Sequence, residues 1–178
     1  MSRTRKIKDV HAEGKTGVFW DVVDFPIPTA ECDPDLISKK IKSALDEKGC
    51  YNGPVSISLY DDVEDDKITK QELIDKYEAA GVSLNFVPKV AEAHGYERVH
   101  KMFLDIGLCV LKKGEWSNLI ILSKYLKEIE MLAFLGYLRS FSINVEASEV
   151  IPPTERSEWL WLRLCESLPS QGSGSSQL

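Results

Sequence analysis

The sequence has no long apolar run, no clustered cysteines and no surplus of basic residues. No run approaches the roughly 18 apolar residues of a membrane span, so we expect no membrane-spanning segment. The 4 cysteines are far apart and form no Cys-x-x-Cys, which argues against a zinc knuckle and a disulfide framework. Because the net charge is -6 and the pI about 5.2, binding to nucleic acid would need a local site.

What is present suits a globular domain with extensions at both ends. The chain has 178 residues, of which 43% are hydrophobic and 28% charged. Changes in composition predict a flexible basic lead-in over residues 1–15, one domain over 16–150, an amphipathic helix over 151–168 and a flexible tail over 169–178.

Targeting signals in the sequence give only a weak indication of the cell compartment. The basic start is not followed by the apolar stretch of a secretory signal, so we expect an intracellular and cytoplasmic protein. The ending Ser176-Gln-Leu178 is similar to the Ser-Lys-Leu peroxisomal address but lacks its basic middle residue. The peroxisome therefore stays as the alternative.

Strand patterns alternate with helical patterns along the domain. Strands are predicted at 17–22, 54–60, 82–87, 118–123 and 141–145, and helices at 33–49, 68–80, 96–111 and 127–139. This alternation predicts a three-layer α/β domain whose mostly parallel sheet has helices on both faces. A last helix over 157–168 has Leu160 and Leu164 on one apolar face, and either packs on the domain or binds a partner.

Two carboxylates, Asp21 and Asp24, follow the first strand, in a run that starts at Thr16 and ends at Pro28. In a parallel sheet, ligands bind at the carboxyl ends of strands. The pair could hold Mg²⁺ or Mn²⁺, ions that assist phosphodiester cleavage. The alternative is that both acids end the strand and accept hydrogen bonds from loop amides.

A second acidic run, 61–66, has the composition of a cation-binding loop. An EF-hand starting at Asp62 would need Gly and Glu where Lys67 and Leu73 stand. We therefore expect a solvated loop that caps the next helix.

The run Gly17-Val-Phe-Trp-Asp-Val-Val-Asp-Phe-Pro-Ile-Pro28 resembles the opening motif of NYN domains of the limkain-b1 type. These belong to the family of the meiosis regulator and mRNA stability factor, within the PIN-like nuclease superfamily, and this chain resembles a divergent, plant-like member. The resemblance runs from 16 to about 149. It implies a nuclease fold in which Asp21 and Asp24 match metal-binding acids for RNA cleavage, with Glu97 as a third acid.

The chain departs from the family pattern at three places. Val23 replaces a frequent Glu, His100 replaces a common Asp, and the fourth strand ends in 123–128, Ser-Lys-Tyr-Leu-Lys-Glu, without the usual Ser-Gly-Asp-x-Asp-Phe. Lys124 would also bring positive charge to a cation site. Whether Glu128 or Glu130 replaces the missing aspartate is left open.

The resemblance and its departures predict a protein of RNA metabolism and post-transcriptional regulation that binds RNA, or an RNA-associated protein, through a degenerate nuclease site. One alternative is an active single-stranded RNA endonuclease using Mg²⁺ or Mn²⁺, with Asp21, Asp24 and Glu97 as catalytic residues and the first two as metal ligands. The other is a protein-interaction module with no RNA role. No membrane partner is expected, and which residues would contact RNA is left open.

Overall fold

The computed structural model describes residues 12–27, 33–49, 51–62, 67–93, 96–113, 116–125, 129–140, 143–147 and 158–166. The strands are β1 (Lys15–Asp21), β2 (Val55–Asp62), β3 (Val82–Val87), β4 (Trp116–Leu122) and β5 (Asn144–Ala147). The helices are α1 (Pro34–Lys48), α2 (Lys67–Ala79), α3 (Tyr96–Lys113), α4 (Ile129–Ser140) and α5 (Glu158–Glu166). Each corresponds to a predicted element, with ends that differ by a few residues.

The strands form one sheet in the order β3-β2-β1-β4-β5, and the pairings between neighbours are parallel. Strand β1 lies in the centre and is buried from Thr16 to Asp21. A central parallel strand is covered on both faces, which explains its unbroken apolar run. The predicted α/β class with a parallel sheet is confirmed.

Helices cover both faces of the sheet. On one face, α3 and α4 pack on side chains that include Phe19, Leu119 and Ile121. On the other, α1, α2 and α5 pack on side chains that include Val18 and Trp20. Since alternate residues of a strand point to opposite faces, β1 contributes to both cores. The predicted three layers are present.

The two ends of α1 show how capping residues in the local sequence determine where a helix begins and ends. The side chain of Asp33 accepts a hydrogen bond from the backbone N–H of Asp35, and Pro34 occupies the first turn. Gly49 ends the helix with φ 72, a left-handed conformation that favours glycine. The residues predicted to begin and to end this helix therefore do so in the structure.

The C-terminal helix α5 packs on the domain, which was one of its two predicted roles. Leu160 and Leu164 are buried in the core that also contains α1. At the helix surface, Arg163 donates a hydrogen bond of 2.8 Å to Glu47 of α1. Its apolar face is therefore not available to a partner while the helix is docked.

Residues 1–11 and 167–178, with most of the predicted lead-in and the whole predicted tail, lie outside the described residues. Of the helices that are described, none combines the length and apolarity needed to cross a bilayer.

Candidate functional site

The carboxyl end of β1 turns sharply around the side chain of Asp21. Its Oδ1 accepts hydrogen bonds from the backbone N–H groups of Val23 at 3.0 Å and Asp24 at 3.1 Å. Such a turn is a common structural role for aspartate. The alternative role foreseen for Asp21, binding loop amides, is thus present in the structure.

Asp24 links this turn to the carboxyl end of β4. Its Oδ2 accepts a hydrogen bond of 3.0 Å from the backbone N–H of Lys124 and one of 3.5 Å from the Ser123 hydroxyl. Lys124 therefore reaches the site through its backbone amide, while its side chain is exposed. The neighbouring ends of parallel strands bring these residues together, as the sheet predicts.

The guanidinium of Arg98, in the first turn of α3, lies among three carboxylates. Its Nε is 3.0 and 2.9 Å from the two oxygens of Asp21, its Nη1 is 2.6 Å from Asp62 Oδ1, and its Nη2 is 3.5 Å from Asp24 Oδ1. The side chain of Arg98 is only 5% exposed. We call Arg98, Asp21, Asp24 and Asp62 the arginine–carboxylate centre.

Burial and charge act against each other in this centre. Burial, together with the nearby Asp24, raises the pKa of Asp21 to about 6, although Arg98 opposes the rise. Burial also disfavours the charge of Arg98, but the carboxylates of Asp21 and Asp62 outweigh it and raise its pKa above the ordinary value. Arg98 therefore remains a cation throughout the physiological range.

The residues present do not fit Mg²⁺ or Mn²⁺. In the part of the chain that is described, no three His, Cys, Asp or Glu side chains are grouped so that they could hold a metal ion. The carboxylates of Asp21 and Asp24 contact the Arg98 cation, and a metal a few Å from that charge would be repelled by on the order of 1 to 4 kcal/mol. A divalent ion would have to displace the guanidinium.

The structure brings together only part of the predicted site. Asp21 and Asp24 are buried in it, whereas Glu97 is half-buried in the first turn of α3 and completes no metal-binding group with them. Glu130 is exposed in the first turn of α4. Glu128 lies outside the described residues.

Sequence reasoning missed two members of the centre. Asp62 was assigned to a solvated loop, but β2 continues through Asp61 and Asp62, which brings Asp62 to Arg98. The available signal was that acids at the end of the second strand face the same sheet edge as those after the first. Arg98 was missed because Glu97, its neighbour in the chain, was chosen as the site residue of α3.

A groove of about 460 Å³ lies between α3 and the strands β1, β2 and β3, and none of the four residues of the arginine–carboxylate centre lines it. Its polar lining residues are Lys15, Ser56, Ser58, Tyr60, Ser83, Asn85, Lys101 and Asp105. Asp105 accepts hydrogen bonds from Tyr60 at 2.8 Å and Lys101 at 2.6 Å. Burial, and then Asp105, raise the pKa of the Tyr60 hydroxyl, which therefore stays protonated and donates.

A parallel α/β sheet whose central strand ends in buried aspartates is consistent with a PIN-like, nuclease-related domain. The sequence profile of the NYN domain matches residues 15–148, most of the chain, and the chain therefore belongs to the NYN domain family. Membership places it among nuclease-like, RNA-related domains. No curated protein and no solved structure gives a significant match.

Proposed function

We propose that this chain is an RNA-binding NYN domain of the limkain-b1 type that acts in RNA metabolism and post-transcriptional regulation without cutting RNA. The observation that carries the proposal is the pairing of Asp21 and Asp24 with Arg98. Metal-dependent cleavage needs carboxylates that are free to bind the ion. Such regulation would take place inside the cell, in the cytoplasm.

The groove between α3 and the sheet supports RNA as the ligand. Serine hydroxyls and the Asn85 amide line it, and such groups hydrogen-bond ribose and phosphate oxygens. The charged lining residues are Lys15, Lys101 and Asp105, so the lining has one more positive than negative charge, although Lys101 is paired with Asp105. The groove is thus a local site of the kind that an acidic chain would need.

Cleavage and binding should be measured on the same labelled single-stranded RNA. Wild type and Asp21→Asn are incubated with Mn²⁺, Mg²⁺ or EDTA, and binding is followed by fluorescence anisotropy. We expect equal background cleavage from both proteins and RNA binding that persists in EDTA. Metal-dependent cleavage that disappears in Asp21→Asn would instead establish the endonuclease, and absence of RNA binding would favour the protein-interaction module.

A pair of matched variants tests the groove. Ser83→Asp places a negative charge on its lining, whereas Ser43→Asp places the same charge on the exposed surface of α1, on the opposite face of the sheet. Repulsion of phosphates should weaken RNA binding several-fold in the first variant only. Equal weakening in both would show that net charge alone matters.

A further inference from the structure

The arginine–carboxylate centre has the charge pattern of a cation site whose cation is a side chain. Its carboxylates come from the end of β1, the turn after it and the end of β2, while the guanidinium comes from α3. Each of the three guanidinium nitrogens contacts a different carboxylate. A lysine ammonium carries its three donors on a single nitrogen, so it could not offer a separate nitrogen to each carboxylate as the planar guanidinium does.

The burial of the acids makes an internal cation necessary. The side chain of Asp21 is 0% exposed and that of Asp24 6%, and buried charges must be paired or neutralised. Besides Arg98, Lys89 lies 3.4 Å from Asp62, but its side chain is 64% exposed and it lies at the rim. Arg98 is thus the buried cation of the centre.

We infer that the Arg98 guanidinium takes the place of a divalent cation, so that the wild-type chain folds and binds RNA without metal, and that removing Arg98 opens the carboxylates to metal. This deepens the proposed function, on which it rests, by stating that the centre is metal-independent. The carboxylates now surround a guanidinium, which is wider than a metal ion, so a bound ion would draw them together.

The experiment is a Mn²⁺ titration followed by electron paramagnetic resonance, with thermal unfolding in Mn²⁺ and in EDTA. Wild type should bind no Mn²⁺ at the centre and should unfold at the same temperature in both. Arg98→Gln should gain one Mn²⁺ per chain, and saturating Mn²⁺ should raise its Tm by roughly 5 °C or more. Adding Asp62→Asn to that variant should weaken the gained site.

Lys101→Gln is the matched control, because it removes one positive charge from the next turn of the same helix, where the lysine is 44% exposed and pairs with Asp105. It should gain no Mn²⁺ site. A Mn²⁺ site gained in both variants would mean that net charge alone controls Mn²⁺ binding, and would overturn the inference.

Three further outcomes would also overturn the inference. The first is a Mn²⁺ site in wild type that is lost in Asp21→Asn. The others are an Arg98→Gln variant that folds but binds no Mn²⁺, and one that is unfolded both in EDTA and in Mn²⁺. An Arg98→Gln chain that folds only when Mn²⁺ is added would support it strongly. RNA binding is measured separately in EDTA, so failure of the inference and failure of the proposed RNA function remain distinguishable.

Discussion

Helix α3 holds two basic side chains, one turn apart, that both pair with aspartate in very different surroundings. Arg98 is 5% exposed and contacts three carboxylates, whereas Lys101 is 44% exposed and, among the described residues, forms an ion pair with Asp105 alone. Loss of one member of a buried pair leaves uncompensated charge in the interior, but loss of an exposed partner lets water replace it. Removing the buried ion pair should thus lower the free energy of unfolding far more than removing the exposed one.

The largest effect should follow from removing the buried cation. Arg98→Met keeps much of the side-chain volume but leaves Asp21, Asp24 and Asp62 without it, and should lower the free energy of unfolding by about 3 to 5 kcal/mol in EDTA. Urea unfolding of the variant and wild type measures this. A loss below about 1 kcal/mol would show that the buried pairing is no stronger than a surface one.

The next largest effect should be the change in folding stability with pH that Asp21 causes. Its pKa is raised from 3.8 to about 6, so between these values the folded protein holds a proton that the unfolded chain has lost. The resulting stabilisation is full below about pH 4 and is lost as the pH rises through 6. Relative to Asp21→Asn, wild type should therefore be more stable at pH 4 than at pH 7, by about 1 to 3 kcal/mol.

Urea unfolding of both proteins at pH 4, 5, 6 and 7 measures this difference, and groups unaffected by the substitution cancel. A wild type that instead gains stability relative to Asp21→Asn toward pH 7 would mean that Arg98 outweighs burial at this carboxylate.

A smaller effect should follow from removing the buried hydroxyl that donates a hydrogen bond to the carboxylate of the exposed pair. Tyr60 is fully buried and donates to Asp105, which Lys101 also contacts. Tyr60→Phe removes one hydrogen bond without changing the ring and should cost about 1 kcal/mol, measured by urea unfolding. No measurable loss would show that water or Lys101 satisfies Asp105 equally well.

The smallest effect should come from the exposed pair. Lys101→Gln should change the free energy of unfolding by no more than about 0.5 kcal/mol, and high salt should reduce the difference further. Unfolding at low and at high salt tests both statements. A salt-independent loss above about 2 kcal/mol would place Lys101 in the same class as Arg98 and remove the contrast between the two.

The fold could be predicted because its signals are local and repeated. The apolar run of β1, the capping Asp33 and the closing Gly49 each act within a few residues, and the alternation of strands and helices then defines the class. The position of Asp21 and Asp24 at one sheet edge followed from the same argument.

The centre itself could be predicted only in part, because its contacts join distant parts of the chain. Arg98 lies 77 residues from Asp21 and 36 from Asp62. A signal did exist, since Arg98 precedes Met102 and Ile106 at four-residue steps and so falls on the buried stripe of α3. A charged residue on such a stripe requires an opposite charge nearby. Glu97, one position earlier, is off that stripe.

The turn that carries Asp24 is flanked by two indole rings. Trp20 Nε1 donates to the carbonyl of Phe25 at 2.6 Å, and Trp161 Nε1, from beyond the residues matched by the family profile, donates to the carbonyl of Pro26 at 2.8 Å. The Trp161 ring also lies edge-on to Phe25, with centroids 5.7 Å apart. Because indole emission responds to hydrogen bonding and neighbouring groups, the chain carries its own optical probe of this turn, and rearrangement of the segment would be visible as a change in tryptophan fluorescence.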